Sequence, residues 1–197
     1  MWYSVFRIGC VIVLKLFFRL KIEGTANIPK KSNFIVVANH ASFLDPLVIA
    51  AAFPYKIYCV ADRTLYKSAF LRWALKRLDA LPTGKTAERA IEHLTKNDIV
   101  GLFPEACCSR DGKLKEFRRG VALLSIKTGR PILPCAIIGT FESLPYLAKF
   151  PKLLPIKVKI GKPVYLLKEF EDVIDDIYLQ EGVHKIKTKI QEMINAG

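Results

Sequence analysis

Phe34-Ile35-Val36-Val37-Ala38-Asn39-His40-Ala41-Ser42-Phe43-Leu44-Asp45-Pro46 is the stretch on which the fold turns. Phe34 to Ala38 is a short β-rich apolar run bounded by polar residues, the pattern of a strand buried in a sheet. His40 stands just past its carboxyl end, and Pro46 can open a helix directly after Asp45. A turn between His40 and Asp45 would return the carboxylate to one imidazole nitrogen. That contact would fix the tautomer and stabilise the cation formed when the other nitrogen takes a proton. Such a pair activates a hydroxyl by general-base catalysis. The plainer alternative is that His40 only caps, and Asp45 only starts, a helix. No Gly-x-Ser-x-Gly elbow is present to favour a serine hydrolase, and Ser42 lies too near His40 in sequence to serve as its nucleophile.

Outward from this stretch the chain alternates between two kinds of segment. Ile57 to Val60, Ile99 to Phe103 and Ile132 to Ile138 read as further buried strands, and Ile156 to Ile160, with Lys157 and Lys159 alternating, as a half-exposed or edge strand. Helical patterns cover Pro46 to Ala52, Ala69 to Leu78, Thr86 to Thr95 and Arg118 to Thr128, the last stopped by Gly129-Arg130-Pro131. The tail from Lys168 is charged and helical in pattern. This alternation predicts an α/β domain built on a largely parallel sheet, with its working residues at the strands' carboxyl ends.

A second polar stretch, Phe103-Pro104-Glu105-Ala106-Cys107-Cys108-Ser109-Arg110-Asp111-Gly112, also follows a strand. Asp111-Gly112 is a turn signal. Lys113, Lys115, Arg118 and Arg119 come next, with Gly120 near the start of a helix. Backbone N–H groups at a helix start, with cations beside them, make a ready phosphate site. A solvated basic loop is the plainer alternative. His93 and His184 read as surface or structural residues.

With 197 residues, half of them apolar, the chain can bury a sizeable core as a single domain. Its 31 Lys and Arg against 18 Asp and Glu give a net charge of +13, which attracts polyanions. Combined with a positive mean hydropathy, this favours an anionic membrane surface over nucleic acid, for which no recognition pattern is present. Five cysteines, one pair adjacent, suggest no disulfide framework and a reducing setting. Residues 1–20 are interrupted by Arg7, Lys15 and Arg19 and lack a cleavage site, so neither a membrane span nor a signal peptide fits. At about 100° per residue, Ser4, Arg7, Lys15 and Arg19 share an arc of roughly 120°. That suits an amphipathic helix lying in the membrane interface; the alternative is a helix packed on the protein's own core. The expected division is therefore an interfacial helix over 1–20 and a catalytic domain over 21–197.

Asn39-His40-x-Ser42-x-x-Asp45-Pro46, then Phe103-Pro104-Glu105, then Pro131-Ile132-Leu133-Pro134 through Gly139-Thr140, resembles the 1-acylglycerol-3-phosphate O-acyltransferase family from about Ile22 to Val164. The resemblance implies a single glycerolipid-acyltransferase-like α/β domain at the cytoplasmic face of the membrane, peripheral or monotopic. It implies acyl transfer from acyl carrier protein or a coenzyme A thioester to a lysophospholipid, with His40 as base and Asp45 as its orienting partner. No cofactor or metal is expected, the thioester being a co-substrate. By the same resemblance Asn39, Ser42, Arg63, Phe103, Pro104, Glu105, Ser109, Arg110, Arg118, Arg119 and Gly120 are expected about the substrates. Two departures stand out. Ala106-Cys107-Cys108 replaces the family's Gly-Thr-Arg, removing the arginine expected on the acceptor phosphate, with Arg110, Arg118 or Arg119 as possible substitutes. Near Asp62, where the family tends to carry a lysine, an acid stands with Arg63 beside it. Cys107 and Cys108 raise a Cys–His mechanism, but His40's own carboxylate and the motif order favour direct transfer.

Overall fold

The computed structural model describes residues 2–30, 33–61, 66–67, 69–77, 79–82, 86–166 and 176–196. Strands β1 (Lys21–Glu23), β2 (Ile35–Ala38), β3 (Ile57–Ala61), β4 (Leu81–Pro82), β5 (Ile99–Leu102), β6 (Ile132–Ile138) and β7 (Lys157–Ile160) form one sheet in the order β1-β7-β6-β2-β5-β3-β4. Every neighbouring pair is parallel except β6 and β7. The helices are α1 (Trp2–Phe18), α2 (Asp45–Ala52), α3 (Ala69–Arg77), α4 (Thr86–Thr95), α5 (Gly120–Thr128), the short α6 (Thr140–Ser143) and α7 (Asp176–Asn195). A 3-10 turn covers Thr25–Asn27.

β2 lies between β6 and β5 with all four residues buried. Its side chains alternate between two cores, which is why the sequence shows an unbroken apolar run and not period-two alternation. Phe34, Val36 and Ala38 pack with Leu14 and Phe18 of α1 and Val48 and Ile49 of α2. Ile35 and Val37 face Leu94 of α4, Val121 and Ala122 of α5, and Ile186 and Ile190 of α7. Each of the large side chains among them stabilises the fold by about 1.5–3 kcal/mol relative to exposure.

Elsewhere the structure refines the expected elements. β7 is half-exposed, with Val158 and Ile160 inward, but it is no edge: β1 pairs along its other side. β1 itself, Lys21-Ile22-Glu23, is too short and polar to be recognised as a strand. α5 begins at Gly120 and not Arg118, because the Arg118 N–H donates to the Pro104 carbonyl at 3.0 Å and holds that residue in the preceding loop.

α1 is not a detachable appendage. Tyr3, Leu14 and Phe18 are buried, and Arg7 donates to the Phe53 carbonyl at 3.1 Å, so one sector of the expected cationic arc faces the protein. Packing on the core therefore holds for that face. The opposite face, Trp2, Val5, Ile8, Ile12, Val13 and Leu16, is apolar and exposed. Among the described residues, no helix is long and apolar enough to cross a membrane.

Candidate active site

Strand register brings the two polar stretches together. Val37 pairs with Leu102 in the parallel β2–β5 ladder, so the chains leaving these strands set His40 level with Glu105. The Glu105 carboxylate joins them, accepting from His40 N–H at 2.6 Å and from Lys115 N–H at 2.8 Å. The Ser109 N–H donates to the His40 carbonyl at 2.8 Å, locking the loops a second time. On the β6 side, Asn39 accepts from Ile137 N–H at 2.7 Å and donates to its carbonyl at 2.9 Å. Its side-chain amide thus supplies the ladder's next rung and lets the backbone turn away.

The turn that follows is built around Asp45, which is fully buried at the first residue of α2. Its Oδ2 accepts from the N–H groups of Ala41 at 2.7 Å and Ser42 at 2.8 Å, and lies 2.9 Å from His40 Nδ1. A carboxylate there fixes the turn and holds Nδ1 protonated, leaving Nε2 as the working nitrogen. Phe103 stacks on the imidazole with ring centroids 4.4 Å apart, so packing as well as hydrogen bonding fixes the ring. At Nε2, 3.1 Å away, lies the thiol of Cys108. Burial works against a charged ring, yet the hydrogen bonds to Asp45 and Cys108 outweigh it and push the His40 pKa up to about 10. Burial raises the carboxyl of Glu105, opposed by its two backbone N–H donors.

His40 and Cys108 open into a cleft of about 550 Å³ at the carboxyl ends of β3 and β5, walled by apolar side chains such as Val60, Ile91, Val121 and Leu124. Of the residues expected about the substrates, Phe103, Pro104, Arg118 and Gly120 line it. Arg110 sits over the ring of Tyr146, another lining residue, at 5.6 Å. The remainder turn to other work. Arg119 is ion-paired with Asp176 at the start of α7. Ser42 is fully buried and donates to the Leu144 carbonyl at 2.8 Å. Asn39, Glu105 and Ser109 are buried members of the scaffold. Arg63 and Asp62 lie outside the described residues.

The lining also includes Phe43 and Lys127, which sequence reasoning did not single out. Phe43 stacks on Tyr146 at 5.6 Å, and no local pattern marks such a pair. A second histidine, His93, meets Asp98 five residues on at 2.7 Å, the spacing of the His40 pair. It lies where α4 enters β5, at the other end of the sheet, against the Tyr58 ring. Spacing alone therefore does not make the site; position at the strands' carboxyl ends does.

Fold and site together define a three-layer α/β domain with a carboxylate-oriented histidine at the head of an apolar cleft. A family model described as acyltransferase matches residues 19–138, and the chain belongs to that family. It is similar to the 1-acyl-sn-glycerol-3-phosphate acyltransferase of Borreliella burgdorferi, with 28% identity over 62% of this chain and 52% of that protein. The protein of the same name from Bacillus subtilis is 25% identical over 78% of each chain. Among solved structures, the 1-acyl-sn-glycerophosphate (LPA) acyltransferase PlsC of Thermotoga maritima superposes with a TM-score of 0.76 at 28% identity, covering 97% of this chain and 79% of that one. The chain spans about half or less of the length of the first curated relatives it matches, such as 52% of the Borreliella protein and 46% of a chloroplast enzyme of Brassica napus.

Proposed function

We propose that this protein transfers a fatty acyl group from an acyl thioester, carried on acyl carrier protein or coenzyme A, to the free hydroxyl of a lysophospholipid. The acceptor is 1-acyl-sn-glycerol-3-phosphate and the product phosphatidic acid, with His40 as general base oriented by Asp45. The observation that carries this is the 2.9 Å contact between His40 and a fully buried Asp45, at the head of an apolar cleft bordered by Arg118. The cleft suits an acyl chain, and the cation suits a headgroup phosphate. No resident cofactor is needed, because the thioester brings the activated carbonyl. The relatives' names support the acceptor class.

The replaced block Ala106-Cys107-Cys108 favours a second acceptor reading, a lysolipid with another headgroup. Ala106 keeps a left-handed backbone, φ 62°, the conformation a glycine adopts freely. The loop thus has a glycine's backbone there but not the family's arginine. A mass-spectrometric transfer assay with purified protein, both donors and a mixture of lysophospholipids decides. Wild type should acylate lysophosphatidate, and His40→Ala should fall by about 100-fold or more. Acylation of a different headgroup keeps the reaction and changes the acceptor. No acylation with either donor leaves a membrane-bound lipid or carrier binder instead.

The site of action we propose is an anionic membrane surface, at its cytoplasmic face. The exposed apolar face of α1 is joined by Leu147, Phe150 and Leu153, exposed in the loop after α6, with Lys149 and Lys152 among them. Arg19 donates to the Leu153 carbonyl at 3.3 Å, tying this loop to the end of α1. Apolar side chains edged by cations suit the boundary between anionic headgroups and acyl chains.

A further inference from the structure

We propose that the lysolipid acceptor reaches His40 sideways from the bilayer, across a rim of Phe43 and Tyr146 that the loop over residues 144–154 seats on the membrane surface. This rests on the acyl-transfer reading and the membrane surface proposed above, and adds the path between them. The loop carries apolar side chains into solvent: Leu147 is 88% exposed and Phe150 84%, with Leu153 and Leu154 also uncovered. Lys149 and Lys152 stand among them. Single exposed apolar residues are ordinary. Four within eight residues, edged by cations, mark a surface that an anionic, apolar partner covers, which is what a bilayer of acidic lipids offers.

Hydrogen bonds hold this loop out as a fixed projection. Lys152 N–H donates to the Ser143 carbonyl at 2.7 Å, closing the two ends, and Ala148 N–H donates to the Pro145 carbonyl at 2.9 Å. Ser143 is fully buried and donates its hydroxyl to the Gly139 carbonyl at 2.7 Å, rooting the loop in α6 and the end of β6. At the exit, Ile156 N–H donates to the Phe18 carbonyl at 2.9 Å, and Arg19 holds the Leu153 carbonyl. The loop is thereby joined to the end of α1, where Leu16 and Phe17 are exposed and continue the apolar patch.

The foot of the same loop is the rim of the cleft. Tyr146 lines the cleft with His40 and stacks on Phe43, another lining residue, at 5.6 Å. The next residue is the exposed Leu147, and neighbouring Cα atoms are only about 3.8 Å apart. The residue that enters the lipid boundary and the residue that lines the cleft are thus consecutive, so the mouth opens at the bilayer. Leu144 fixes the rim to the catalytic turn: its carbonyl accepts the Ser42 hydroxyl at 2.8 Å, while the Ser42 N–H donates to Asp45. Arg110 lies over the Tyr146 ring and brings a cation to the rim, where an anionic headgroup would pass. A lysolipid taken in here keeps its acyl chain among apolar side chains throughout. A route through water would cost free energy for every methylene exposed.

Turnover on two acceptors tests this with the full chain and palmitoyl-coenzyme A or palmitoyl-acyl carrier protein as donor. One acceptor is palmitoyl-lysophosphatidate embedded in phosphatidylglycerol vesicles, and the other is hexanoyl-lysophosphatidate, monomeric in water. On the embedded acceptor, turnover is divided by the fraction of each variant that co-sediments with the vesicles. Leu147→Glu and Phe150→Glu should lose about 10-fold per bound enzyme on the embedded acceptor and stay within about twofold on the monomer. Val5→Glu, on the free face of α1 and more than about three turns from Arg19, should weaken binding but keep turnover per bound enzyme. Tyr146→Ala should raise KM for both acceptors by about 5- to 10-fold with a smaller change in kcat, and Tyr146→Phe, which keeps the ring, should restore it. A loss of about twofold or less per bound enzyme with both Glu variants overturns the path. An equal loss on the two acceptors overturns it as well, making the loop only a support for the catalytic turn. So does a fall in kcat alone in Tyr146→Ala. Wild type that acylates the monomer but not the embedded acceptor leaves the function standing without this path. Turnover of neither acceptor with either donor removes both the path and the function on which it rests.

Discussion

Two arginines adjacent in sequence have different fates at the residue scale. Arg118 lines the cleft, and among the described residues it has no carboxylate partner, while Arg119 is engaged by Asp176. Arg118 is thus the better candidate for the acceptor phosphate in place of the missing family arginine. Arg118→Ala should raise KM for lysophosphatidate by about 10- to 100-fold with a smaller effect on kcat, the loss expected for a charge-assisted contact. Arg119→Ala should leave KM within about twofold, because an exposed ion pair at α7 contributes little. Steady-state kinetics in mixed micelles checks both, and equal effects on the two constants would assign the phosphate elsewhere. Sequence placed both residues near the site, since a basic run after a strand is visible in one dimension. Which of the two faces the cleft depended on where α7 folds back.

Short elements set the site at the next scale. Gly139, with φ 90°, ends β6 and starts α6, and a Cβ there would run into the Pro155 carbonyl oxygen. α6 leads to Leu144, whose carbonyl accepts the Ser42 hydroxyl inside the His40–Asp45 turn. Gly139→Ala should therefore destabilise the fold by about 2 kcal/mol or more, adding left-handed strain to a backbone clash. A denaturant titration measures this, and an unchanged midpoint would mean that the β6–α6 corner relaxes freely. The strands β2, β5 and β6 and the helix α4 were legible from apolar runs and periodicity. β1, β4 and α6 were not, because a polar triplet, a residue pair and a single helical turn carry neither an apolar run nor a period and exist through their neighbours' hydrogen bonds.

For the whole molecule, a net charge of +13 and an exposed apolar face on α1 point to one surface. Removing residues 1–20 would not test it cleanly, since Leu14, Phe18 and Leu20 belong to the main core. Leu16→Glu and Phe150→Glu alter side chains that are 70% and 84% exposed, so the melting temperature should hold. Co-sedimentation with phosphatidylglycerol vesicles should weaken several-fold in each variant, and further as salt shortens the Debye length below about 8 Å. Retention of full binding by both variants would move the contact to another face.

The sequence by itself determined the α/β class, the His40–Asp45 pair and its place after a buried strand. These depend on interactions close in the chain: an apolar run, a turn and a proline opening a helix. The family's ordered motifs added the chemistry. Only the tertiary structure decided what stands at the other nitrogen of His40. Cys108 reaches it through the parallel pairing of β2 with β5 and the Glu105 tether between their loops, contacts between residues far apart in the chain. It likewise divided α1 into a core face and a free one, because a helix apolar over most of its circumference does not reveal which side its own protein will cover.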